Sequence, residues 1–514
     1  VFTCTSSYIG SGIFLLEGCY EPRCDFVGKA FGENYMLHLV DSIYPNRTEC
    51  DKLSAEEVRY MEEKTIRGEL TYNQKQYPFV IEKRILTIVQ SAFHYCNDFP
   101  AEGHLGTLMG ITDGNQYIFL LDCRILNRGF SSLSGKIQMG LHGYILQETS
   151  VDRFDSIEFY SPALRAFYSP RKAWQPELTA EKHMQGITLT PYEDVAIEIP
   201  MTVGAENLQC CLGFSRYFRL RFEEQYALSI NTGLILDLPG GRSSRDLGKY
   251  FLYVLDFLAF INFERNIPFD DIVLWRQNAD GESRKSGNAV IFQAENMRYK
   301  PDVLHSITYD DLGKDLFAAL FKEIAEQRLQ GKYNPYYLPE NRSEVNIVEK
   351  SRWLMAAFSF EGEYNKRYKS VKAEQDETFY EVKEMLLHVI DEAVQQSGVS
   401  INNPRNKYLK NFRQLINTTD TTIQEKFQFC ESHFQDEIKQ IKEKHCLYSS
   451  VSVNTNFAEN YSKTRNSAAH GSIESITSED VVTFQLLRSF IYLLIMERVS
   501  IPSEKRKEII SKLF

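Results

Sequence analysis

The hydrophobic period of this chain changes once, and that change limits what it can fold into more than any other feature. From Ile13 to about Gln293 the apolar residues come in short alternating or continuous runs rich in Tyr, Phe, Val and Ile, separated by turn residues, as strands require. After Asp302 the period becomes 3.6 and stays so to the C-terminus, as amphipathic helices require. The expected fold is therefore α+β, with a β-rich sheet or sandwich region, in one or two subdomains, over residues 1–300 and an all-helical bundle over 310–514. The boundary is expected near 300–310. A length of 514 residues exceeds what one hydrophobic core usually serves, which supports more than one unit.

Within the first region, Thr107–Ile111 and Tyr117–Leu121 flank Asp113-Gly114 and read as a hairpin. Further strands are expected at Lys136–Leu146, Ser156–Tyr160, Val195–Ile199, Arg216–Phe222, Ala227–Ile230, Ile272–Trp275 and Ala289–Phe292. One helix, Ser244–Phe263, interrupts them; it is apolar nearly all round and so belongs in a core. Pro239-Gly240-Gly241-Arg242 before it lacks the lysine-serine/threonine ending of a phosphate-binding loop and reads as a turn. In the second region helices are expected at Asp310–Leu329, Ser343–Tyr364, Glu377–Gln396, Arg405–Ile416, Thr422–Lys444, Asn454–Ala469, Ser478–Val499 and after Pro502. Phe379, Val382, Leu386, Val389 and Ala393 mark one stripe of the third.

Charge and cysteine usage remove some functions. A formal net charge of −11 repels phosphate at long range, so any nucleic acid must meet a local basic patch. Lys407, Lys410, Arg413, Lys426, Lys439, Lys442 and Lys444 offer one, interleaved with Glu425, Glu431, Asp436, Glu437 and Glu443. The 10 cysteines show no paired spacing of a zinc site and read as reduced thiols. No metal and no cofactor is expected. The longest apolar stretches, 251–263 and 490–496, fall short of the roughly 20 residues that span a bilayer, so no membrane association and a cytoplasmic location are expected.

One segment carries chemistry: Lys463-Thr464-Arg465-Asn466-Ser467-Ala468-Ala469-His470-Gly471, at the end of one helical pattern. Asn466 and His470 are four apart and share a helix face, and Arg465 lies one position round with a stem long enough to reach that side. Cleaving RNA without a metal needs a base at the 2′-hydroxyl, a proton donor for the leaving oxygen and positive charge at the transition state. His470 titrates near neutrality, Arg465 binds phosphate bidentately, and Asn466 can hold the imidazole or the phosphate. One imidazole cannot serve as base and acid at once, so two sites meeting across a twofold axis are expected, in a homodimer or higher even oligomer. The plainer alternative is that these residues cap helix carbonyls and answer the macrodipole. Tyr408 and Tyr461 could stack bases and Lys463 could add phosphate affinity, although core or rim packing and a solvated lysine explain them more cheaply.

Arg465-Asn466-x-x-x-His470 between helices of a C-terminal bundle resembles the Arg-x4–6-His motif of HEPN domains. The β-rich part is similar to the N-terminal domain of the ApeA type of anti-phage HEPN protein. That likeness rests on Leu105-Gly106-Thr107 with residues 117–123, Gly143-Tyr144 running into Phe154-Asp155-Ser156-Ile157-Glu158-Phe159, and Trp174. The resemblance implies a ribonuclease of the toxin or abortive-infection kind. Its catalytic residues would be Arg465, Asn466 and His470, its β-domain would sense a phage-derived trigger, and Glu361 or Glu363 would point at the site from an earlier helix. The competing readings are a non-catalytic HEPN module binding a nucleotide or partner, and an adaptor whose β-domain senses a phage component.

Overall fold

The computed structural model describes residues 3–5, 65–91, 98–130, 134–178, 184–220, 226–293, 299–368, 377–396, 404–417, 422–469 and 475–514. They fall into two compact units, Val1–Tyr333 with Glu340–Arg342, and Asn334–Pro339 with Ser343–Phe514. The architecture is α+β, a β-rich region followed by a helical one. No described helix is long and apolar enough to cross a membrane.

In the first unit β1 (Thr3–Thr5) pairs antiparallel with residues 186–188. Strands β2 (Ile66–Tyr72), β3 (Lys75–Glu82), β4 (Ile85–Ser91), β5 (Gly103–Thr112), β6 (Tyr117–Phe130) and β7 (Ser134–Gly140) form an antiparallel ring, closed by the β6–β7 pairing. Alternation explains the closure. Along β3, Tyr77, Phe79 and Ile81 are buried and their neighbours more exposed, so one face fills the barrel with Leu70, Leu86, Ile88, Leu120 and Met139. The seam between β2 and β5 needs glycine: a Cβ at Gly68 would lie 2.1 Å from the carbonyl oxygen of Ile111.

β6 outlasts the barrel. Residues 117–121 pair on their outer edge with β8 (Gly143–Gln147), and residues from Arg124 onward pair there with β7. The exchange happens at Asp122, whose φ of 50° marks a bulge, and it splits the single strand expected over Lys136–Leu146 into β7 and β8. The sheet continues through β9 (Phe154–Tyr160), β10 (Trp174–Leu178) and β11 (Met184–Leu189) standing apart with β1, and β12 (Ile197–Val203), β13 (Glu206–Leu220), β14 (Tyr226–Arg242), β15 (Asp271–Gln277) and β16 (Ser283–Ile291). Its order away from the barrel is β6-β8-β16-β15-β9-β14-β13-β12. The expected hairpin is present, but Asn115, with φ 59°, takes the left-handed position in place of Gly114. Pro239 to Arg242 is a bulged end of β14, with positive φ at Gly240 and Gly241, where a turn was expected.

Helices α1 (Pro162–Phe167), α2 (Leu247–Asn262) and α3 (Tyr309–Leu329) complete this unit. α2 is buried on nearly every side, as its composition requires: Phe257 meets Phe167 of α1 and both Phe317 and Phe321 of α3. Arg328 of α3 chelates the buried Asp256 of α2, with Nη2 2.6 Å from Oδ1. α3 therefore belongs to the β-rich unit, and the compact division comes later than 300–310 even though the hydrophobic period changes there. A helix that buries its apolar stripe on the sheet unit has the same period as one that buries it in a bundle.

Every described segment of the second unit is helical or irregular. It holds α4 (Lys350–Tyr368), α5 (Glu377–Gln396), α6 (Pro404–Asn417), α7 (Ile423–His433), α8 (Gln435–Ser449), α9 (Phe457–Ala469), α10 (Ser478–Arg498) and α11 (Ser503–Leu513). α10 is the central member, buried almost continuously from Val482 to Met496. The single helix expected over Thr422–Lys444 breaks at Phe434 into α7 and α8. The turn buries the Phe434 ring, with Arg506 5.7 Å from its centroid, and Asp436 and Glu437 then occupy the favourable first turn of α8.

Candidate nucleic-acid cleavage site around Arg465

α9 begins at Asn456, whose side-chain oxygen accepts from the backbone N–H of Glu459 at 3.2 Å. Its inner face is set by Phe457, Ala458 and Tyr461, all buried. Tyr461 is fully enclosed, 5.4 Å from the Phe427 ring and 5.6 Å from Phe360, with Trp353 at 5.8 Å. Its hydroxyl donates to Oε1 of Glu361 on α4 at 3.3 Å. Burial, with the Glu361 charge adding to it, pushes this phenol well above the usual tyrosine range. Tyr461 is thus a core residue, and the expectation that it could stack an RNA base is corrected: no part of the ring reaches solvent.

Arg465 follows one turn later on the same face. Its Nε donates to the same Glu361 oxygen at 3.1 Å, and its guanidinium lies 5.7 Å from the centroid of Phe358. Glu361 therefore ties two consecutive turns of α9 to α4, and the aromatic ring below supports the cation. With its side chain 26% exposed, Arg465 is both held and accessible. Nε is the guanidinium edge engaged among the described residues, and the planar Nη edge is the geometry that takes a phosphate bidentately.

The other expected residues separate. Asn466 is exposed, next to Arg465. Lys463 is exposed too, but its ammonium is 2.6 Å from Glu459 one turn back, which offsets its charge. Glu363 does not face Arg465: it is buried, with Lys366 at 2.6 Å and Arg498 at 2.8 Å. Residues two apart in a helix point some 200° apart, so only one of Glu361 and Glu363 could meet α9. His470 and Gly471 lie outside the described residues. The helices on either side of 470–474 are tied directly: Thr464 donates to Oδ1 of Asp480 at 2.6 Å, while Asp480 Oδ2 accepts from the Thr477 backbone at 2.9 Å and caps α10.

Two neighbours were not singled out for the site by sequence reasoning. Phe358 is one, readable only as three residues before Glu361. Lys426 of α7 is the other: its ammonium donates to Asn365 of α4 at 3.0 Å. Burial pushes it below the usual lysine range, Glu361 acts against that shift and Arg465 with it, so the two cations feel one another. Lys426 is thus within electrostatic reach of both Glu361 and Arg465. The described cysteines Cys123, Cys210, Cys211, Cys430 and Cys446 are all buried. No family model, curated protein or solved structure matches the chain.

Proposed function

We propose that the helical unit is a HEPN-type endoribonuclease that works without a metal, in an anti-phage abortive-infection system, with the β-rich unit sensing a phage-derived trigger and restraining it. The observation that carries this reading is the anchoring of Arg465 by Glu361, which holds a partly exposed side chain just ahead of Asn466 and His470 in the sequence. In the reaction, Arg465 holds the scissile phosphate and stabilises charge developing on its oxygens. His470 of one copy takes the 2′-hydroxyl proton; O2′ attacks phosphorus and the P–O5′ bond breaks. The 5′ oxygen leaves as a hydroxyl, protonated by His470 of the second copy, and the upstream strand ends in a 2′,3′-cyclic phosphate. Asn466 orients imidazole or phosphate.

The same ion pair also favours a second reading, a non-catalytic HEPN adaptor in which Arg465 simply braces α9 on α4. The two separate in one experiment. Full-length protein, Arg465→Ala and His470→Ala are incubated with total cellular RNA in excess EDTA, and fragment ends are mapped. Cleavage with cyclic-phosphate ends by the wild type and by neither variant is the expected result. Equal cleavage by wild type and both variants would overturn the assignment of these residues.

A further inference from the structure

The face of α4 that holds Arg465 holds a second cation one turn further on. Glu361 and Asn365 are four apart, so they share that face and stand about 6 Å apart along the axis, at ~1.5 Å per residue. Glu361 accepts from Arg465 of α9 at 3.1 Å, and the side-chain oxygen of Asn365 accepts from the ammonium of Lys426 of α7 at 3.0 Å. That ammonium also lies 5.6 Å from the centroid of Tyr364, the residue before Asn365. Successive turns of one helix thus fix an arginine and a lysine that come from two other helices, and both side chains remain partly exposed.

The partner of Lys426 sets it apart from the other basic residues of this unit. Arg413 meets Asp391 at 2.7 Å, Lys442 meets Glu431 at 2.5 Å, and Lys444 donates to the carbonyl of Phe514 at 2.6 Å. Lys407, Lys410 and Lys439 stand exposed, where holding a long side chain in one place offsets much of what an ion contact gives. Further along α4 the cations are matched as well: Lys366 lies 2.6 Å from Glu363, and Arg367 and His433 lie 3.1 and 2.8 Å from Glu497. Lys426 is held in place by a neutral amide. Burial and the charge of Arg465 both weigh against its ammonium, with Glu361 opposing them, and an anion placed beside it favours the charged form again.

We propose that this face of α4 takes two consecutive phosphates of one RNA strand, the scissile phosphate on Arg465 and its neighbour on Lys426. The step between the two anchors, Glu361 and Asn365, is one that a single nucleotide of extended strand bridges. The matched cations beyond Asn365 end the track, so on this side the site reads one phosphate past the cleavage point. The inference rests on the cleavage reading of Arg465 as a phosphate ligand, and adds to it the length of strand that the site recognises.

The test is isothermal titration of full-length protein with 2′-O-methyl diuridine, whose blocked hydroxyl prevents cleavage, against the same dinucleotide carrying an extra 5′- or 3′-terminal phosphate. One of the two added phosphates should tighten binding to the wild type roughly tenfold, as a charge-assisted contact does. Lys426→Gln should lose that gain and Lys426→Arg keep most of it, with thermal melts by circular dichroism as the folding control. For the tightened ligand, the slope of log Kd against log salt should be shallower by about 0.7 in Lys426→Gln, the share of one phosphate on a single strand. No gain from either phosphate, or an equal gain in wild type and Lys426→Gln, overturns the proposal. Unmethylated diuridine in excess EDTA separates this outcome from the nuclease reading. Lys426-dependent binding in a protein that cuts no RNA keeps this inference and sinks that reading; cleavage by the wild type with binding indifferent to Lys426 does the reverse.

Discussion

Arg465 on α9 donates to Glu361 on α4 across 3.1 Å, so the residue expected to bind phosphate is positioned from a second helix. Glu361→Gln keeps an acceptor but loses the charge. Both groups are partly screened, so stability should fall by only about 1 kcal/mol. Cleavage should drop roughly tenfold through looser positioning of the guanidinium, which corresponds to about 1.4 kcal/mol of barrier. Fragment yield per time against urea-unfolding midpoints for the two proteins checks this; unchanged cleavage would mean that Glu361 does not position Arg465.

Tyr461 separates packing from binding. Tyr461→Phe removes one hydrogen bond to Glu361 and should cost about 1 kcal/mol, while Tyr461→Ala should cost about 3–5 kcal/mol through the cavity left among Trp353, Phe360 and Phe427. RNA affinity should be the same for wild type and Tyr461→Phe in a filter-binding titration. A large loss there, without loss of stability, would contradict the core assignment.

His445 predicts an acid limit to the helical unit. Burial, helped by the charges of Lys444 and Arg488, lowers its pKa to about 4. The folded imidazole is neutral where the unfolded one, titrating near 6.5, takes up a proton. Its contribution is present above about pH 6.5 and is lost as the pH falls toward 4, because the unfolded state then binds more protons. The loss should reach about 3 kcal/mol at most, from about 1.4 kcal/mol per pH unit. Urea midpoints between pH 7 and 4 should flatten in His445→Gln; identical slopes would remove His445 as the cause.

The Asp256–Arg328 pair predicts where the chain can be cut. A fragment ending at residue 309 lacks α3 and leaves the Asp256 carboxylate buried without its cation, whereas one ending at 342 retains it. The shorter fragment should be less stable by at least the 3–5 kcal/mol typical of a broken buried pair. Thermal melts of the two fragments decide; equal midpoints would place α3 outside the first unit.

Much of the fold was legible where a single physical rule acts alone. Glu377–Gln396 was readable to the residue because its stripe is strongly amphipathic, and the start of α10 was readable to within Thr477 or Ser478 from the acidic first turn, Thr477 proving to be the cap in a box with Asp480. The site was legible in part. Arg465 and Asn466 stood out by residue type, and Glu361 by its helix, but nothing local distinguishes Glu361 from Glu363 until one knows which side of α4 faces α9. The break at Phe434 and the exchange of partners at Asp122 were not legible, since both are fixed by contacts with residues distant in sequence. The same holds for the edge of the first unit, because the stripe of α3 does not say which core it enters.

The long strand β6 belongs to the barrel and to the open sheet at once, and this has a kinetic meaning. Barrel closure needs β6 against both β5 and β7, and sheet growth needs it against β8, so neither can form first without organising the other. Residues on both sides of Asp122 should therefore belong to one cooperative unit, with the amides of Leu120 and Ile125 exchanging with deuterium through a common global opening.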